Sequence, residues 1–100
     1  MRGIVIDPGA KPELYRLPDT LQELQRFMGG YAQRCPISNR FAALFYLPQA
    51  GQSLPTRHYN GRWLYGRLCL VGWRNARMTD LPMPLAEELL QKFTPVEVTP

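Results

Sequence analysis

Lysine, histidine and cysteine are scarce in this chain. Of its twelve basic residues only Lys11 and Lys92 are lysine; there is one histidine, His58, and there are two cysteines. A lone histidine in a proline-rich loop offers little for acid–base or metal chemistry. Cys35 and Cys69 stand 34 residues apart with no CxxC, so neither a zinc site nor a disulfide framework is expected. Two half-buried thiols in a reducing compartment are the expectation, with a structural disulfide as the alternative.

Other absences exclude further classes. No apolar run approaches the roughly 18 residues that cross a bilayer, and the opening MRGIVIDPG is too short for a signal peptide. These features predict a cytoplasmic protein with no membrane partner. The eight acidic residues are scattered: Asp7 and Asp19 border turns, Glu23 caps a helix, and Glu87 and Glu88 attend a helix start. That leaves no obvious acid–base pair. Pro8-Gly9-Ala10-Lys11 lacks the Gly-Lys-Ser/Thr ending and the following helix of a phosphate loop. Neither catalysis, nor a metal, nor a cofactor is expected. A Cys–His site built from His58 with Cys35 or Cys69 is the enzymatic alternative.

What is present describes a folded chain. Hydrophobic residues make up 45% and charged residues 20%, the balance of one globular domain over residues 1–100. GIVID (3–7) and ELYRL (13–17) flank a Pro-Gly turn and read as two short strands. TLQELQRFMGGY (20–31) then carries a capping box, Thr20 with Glu23, and an apolar stripe of Leu21, Leu24, Phe27 and Met28. Gly29 or Gly30 supplies the left-handed residue that stops the helix and reverses the chain into a strand at Tyr31–Cys35. Tyr31 either packs beside this junction or belongs to a glycine-lined edge for a ligand.

FAALFYL (41–47) reads as a strand, residues 48–62 as an ordered but irregular loop with an Asn60-Gly61 turn, and RWLYGRLCLVGW (62–73) as the longest strand. PLAEELLQKF (84–93) is an amphipathic helix. This order predicts an α+β fold: one mostly antiparallel sheet of about five strands, with helices near 20–28 and 84–93 covering one face.

PGAKPELYRL, DTLQELQ, the hydrophobic-Gly-Gly-Tyr junction and YGRLCLVG together resemble a family of small bacterial and phage proteins. The family is catalogued as a domain of unknown function, met chiefly in gut bacteria and on mobile elements. The resemblance covers roughly residues 3–93, with LQELQRFMGGY its most specific part and Leu54-Pro55-Thr56-Arg57 a weaker one. It implies a shared fold and a phage or mobile-element setting, and no particular reaction.

One constellation remains. Residues 57–77 hold Arg57, His58, Tyr59, Arg62, Trp63, Tyr65, Arg67, Trp73, Arg74 and Arg77, which include both tryptophans. If the even positions of a strand over 62–71 face the core, Trp63, Tyr65 and Arg67 line the opposite face. Exposed aromatics among arginines suit a protein hot spot, and equally a single-stranded nucleic-acid platform. The structural alternative buries the rings beneath loop 48–61 with arginine stems over them. The favoured reading is a non-enzymatic accessory protein that binds an unidentified protein partner through this surface. Single-stranded nucleic acid is the alternative ligand.

Overall fold

The computed structural model describes residues 1–48, 55–59 and 61–95. Strands β1 (Arg2–Ile6) and β2 (Glu13–Arg16) form a hairpin, followed by helix α1 (Leu21–Met28). Strands β3 (Gln33–Cys35), β4 (Ala42–Tyr46), β5 (Pro55–Tyr59), β6 (Arg62–Tyr65), β7 (Leu68–Arg74) and β8 (Arg77–Thr79) precede helix α2 (Met83–Lys92). The main sheet runs β2-β1-β7-β4-β3, with β8 hydrogen-bonded to the far end of β7, and β5 and β6 pair separately. All of its pairings are antiparallel. The α+β class and the antiparallel sheet are as expected.

The placement of the helices is not. Register aligns Ile4, Leu70 and Leu44 across β1, β7 and β4, and aligns Val5, Cys69 and Phe45 in the next row. Successive strand residues point to opposite faces, and these three strands are apolar at nearly every position. Both faces of the sheet therefore need a cover. Helix α2 supplies Leu85, Ala86 and Leu89 to the face of Ile4, Leu44 and Leu70. Helix α1 supplies Leu24 and Met28 to the face of Val5, Phe45 and Cys69. One helix lies on each side, rather than two on one.

Helix α1 starts and stops as its local chemistry dictates. Thr20 Oγ1 accepts from the Glu23 amide at 3.2 Å, and Gly29, at φ 101°, ends the helix. The amides of Gly29 and Gly30 both donate to the Gln25 carbonyl, while the Gln25 side chain accepts from Ala32. Leu21 is exposed, so the buried stripe narrows to Leu24 and Met28, with Phe27 half-buried beside them. The strand expected from Tyr31 begins at Gln33, and Tyr31 stands 68% exposed instead of packing beside the junction. Helix α2 begins one residue earlier than expected, with Pro82 as its N-cap and no acidic residue in the first turn. Glu87 and Glu88 fall in the second turn, where they gain less from the positive end of the helix.

The run 62–73 is two strands. Gly66 adopts φ 74°, a left-handed conformation that side chains disfavour, and it turns the chain out of β6 and into β7. Of the loop expected over 48–62, residues 49–54 and 60 lie outside the described residues, and 55–59 form strand β5. The β5–β6 hairpin packs beside α2: Leu64 enters that core, and the Tyr59 ring lies 5.8 Å from Phe93. Asn75 and Ala76 take positive φ at the tight β7–β8 turn, a geometry that favours Asn followed by Gly.

The thiols share the core but not a face, Cys35 lying on the α2 side and Cys69 on the α1 side. Burial pushes the Cys69 thiol up to about 12, although Arg67 nearby favours the thiolate. Thiolate is the reactive form, so native protein at pH 8 is expected to leave Cys69 unmodified by iodoacetamide. Mass spectrometry of labelled peptides checks this; modification as fast as in denaturant would mean that the α1 face opens readily.

Candidate functional site

The structure disperses the arginine and aromatic residues of 57–77. Arg57 is not a surface residue. It is 2% exposed, with Nε donating to the Phe93 carbonyl at 2.9 Å. Its two terminal nitrogens donate to the carbonyls of Thr56 and Ala10, both at 2.6 Å. Tyr59 faces inward to Phe93, with the Lys92 ammonium 5.0 Å from its ring centre. Arg62 reaches across to donate to the Tyr46 hydroxyl at 2.7 Å. Trp63 and His58 sit opposite each other on the hairpin with ring centres 4.7 Å apart, and Tyr65 is half-buried.

Arg67 lies beyond the Gly66 break, in other company. It forms an ion pair with Asp7 at 2.8 Å and stacks 4.5 Å from the Phe27 ring centre. The hydrogen bond to Asp7 holds its guanidinium more firmly protonated. Trp63, Tyr65 and Arg67 therefore do not line one face of one strand. No Cys–His pair is assembled either: Cys69 is sealed on the α1 side, the Cys35 thiol donates to the Pro36 carbonyl, and His58 lies against Trp63. Among the described residues no three His, Cys, Asp or Glu side chains gather where they could hold a metal. No helix among them is long and apolar enough to cross a membrane.

Trp73 and Arg74 lie among a different set of residues. The Trp73 amide donates to the Phe41 carbonyl at 2.9 Å, which brings the start of β4 beside the end of β7. Met78 of β8 sits opposite Trp73 on its other side. The Arg34 guanidinium lies 4.7 Å from the Trp73 ring centre, and that of Arg40 lies 4.9 Å from the Phe41 ring centre. Arg74 and Arg77 face each other across the β7–β8 turn. Phe41 is 47% exposed, and all four arginines are exposed.

This end of the sheet is electrostatically one-sided. The two ion pairs among the described residues are Met1 with Asp19 and Arg67 with Asp7, so none of these four arginines has a carboxylate within 4.0 Å there. Asp80 is the acid nearby in the fold, and one of its oxygens accepts the Arg2 amide at 2.8 Å. Arg34, Arg40, Phe41 and Met78 were invisible as site residues in the sequence. Their one local signal is that Phe41, just before β4, falls in step with Ala43 and Phe45, which names no neighbour.

No family model matches the chain, and no curated protein or solved structure matches it.

Proposed function

We propose that this chain is a non-enzymatic binding protein that engages a protein partner through the Phe41–Trp73 end of its sheet. The observation that carries the reading is the stacking of Arg34 on Trp73 and Arg40 on Phe41. A nucleobase platform stacks bases on aromatic faces, and here each ring already carries a guanidinium over one face. Arginine stacked on an aromatic ring is also the usual make-up of an interface hot spot. Four exposed guanidiniums with no carboxylate within 4.0 Å among the described residues match an acidic surface, since their planar forks pair with carboxylates in a bidentate manner. The reading takes the protein to be cytoplasmic, free of metal and cofactor, and carried by a phage or mobile element of gut bacteria. The resemblance of LQELQRFMGGY and YGRLCLVG supports that setting.

Trp63→Phe leaves Trp73 as the sole tryptophan, a reporter inside the site. Titration of that variant at physiological salt with poly-L-glutamate is expected to change Trp73 emission to saturation. A mixed-sequence single-stranded oligonucleotide should change it far less. Joint replacement of Arg74 and Arg77 by Glu should weaken the poly-L-glutamate response about tenfold, as reversal of two exposed charges does. A response to the oligonucleotide alone would favour nucleic acid at the same surface. No response to either polymer would remove the site.

A further inference from the structure

Beside the four arginines lies a groove of about 600 Å3, in the range of pockets that take a ligand group. It runs between residues 39–41, the β7–β8 hairpin and the first turn of α2. Phe41, Trp73, Pro82, Pro84 and Leu85 give it an apolar lining; Arg74 lines it too, as does Asp80, one of whose oxygens accepts the Arg2 amide. Arg74 also borders the neighbouring depression formed with Arg77 and Met78, so groove and basic surface are continuous. Arg40, stacked on Phe41, flanks the ring that forms one wall.

We infer that the partner presents an extended segment whose apolar side chain fills this groove, while carboxylates on either side of it pair with Arg40 and Arg74. The inference rests on the protein-partner reading above and adds the chemistry of the segment. Charge complementarity selects the occupant. An uncharged ligand would leave the arginines unused, and a bare polyanion would leave the apolar walls in water. The two prolines have fixed φ, so this side of the groove loses little freedom on binding, which favours affinity.

The test is fluorescence anisotropy of two labelled peptides on the full chain. One carries Leu-Phe between acidic residues; in the other both positions are Ala at the same charge. Burial of an apolar side chain predicts that the Leu-Phe peptide binds about tenfold to a hundredfold tighter. Pro84→Glu sets a carboxylate in the groove near the start of α2, where a negative charge suits the helix and spares the fold. It should erase most of that advantage. Equal binding of the two peptides would overturn the groove inference and leave an interface that reads charge alone. A Leu-Phe advantage that survives Pro84→Glu would overturn it too, by moving the anchor elsewhere. Binding of neither peptide would overturn both this inference and the reading beneath it. Self-association of the free chain that the Leu-Phe peptide fails to displace would assign the groove to a second copy, and also sink the inference.

Discussion

Replacement of Arg57 by alanine is expected to destabilise the fold by about 3–5 kcal/mol, from a cavity together with unmet hydrogen bonds. The guanidinium joins three separate parts of the chain. It donates to Phe93 at the end of α2, to Thr56 within β5, and to Ala10 in the β1–β2 turn. Without it these carbonyls face a void in place of a donor. Arg57→Lys should recover less than half of the loss, because an ammonium on a thin stem cannot send donors along three such directions. Urea unfolding followed by tyrosine and tryptophan emission measures both variants. A loss of under about 1 kcal/mol for Arg57→Ala would show that the carbonyls find water instead.

Gly72→Ala should cost about 2–3 kcal/mol, the upper part of the range for forcing a methyl into a packed site. A Cβ at this position would run into the Asp80 carbonyl and would stand 2.5 Å from Thr79 Oγ1. Part of the obstacle is the Asp80 backbone just past β8, so rotating Thr79 is not enough and the end of β8 has to move. Strand β8 carries Arg77 and Met78, and its displacement reaches the proposed interface. The variant should therefore lose affinity for poly-L-glutamate even under conditions where it remains fully folded. Arg57→Ala, measured in the same way, should bind normally once corrected for its unfolded fraction. Stability of Gly72→Ala within about 0.5 kcal/mol of the parent, the range of ordinary surface changes, would mean that β8 yields freely.

These two residues also show where the sequence was legible and where it was not. The α1 segment was plain because its signals are local: Thr20 caps within three residues, and Gly29 ends the helix by its own backbone conformation. Strands β1, β4 and β7 announced themselves as apolar runs. The same runs carried the unused message that apolar residues at odd and even positions alike demand a cover on both faces. Strand β5 was hidden because Pro-Thr-Arg-His-Tyr has no apolar alternation, yet its first three residues, Pro55, Thr56 and Arg57, are buried. Of the candidate site, Trp73 and Arg74 stood out by composition. Phe41 joins them only through the β4–β7 register, a long-range property to which no local pattern points. Arg57 misled for a physical reason: a surface arginine and a buried one serving three carbonyls are identical on paper.

The position of β7 between β1 and β4 also sets the tempo of assembly. The β1–β2 and β3–β4 hairpins can each close by short-range contact as the chain leaves the ribosome, yet neither pairs with the other. Both wait for residues 68–74, the strand that lies between them. Sheets that depend on such distant pairing close slowly, because loop entropy is lost before the contacts repay it. Until then the nascent chain carries two hairpins with apolar flanks, the state in which chains stick to one another.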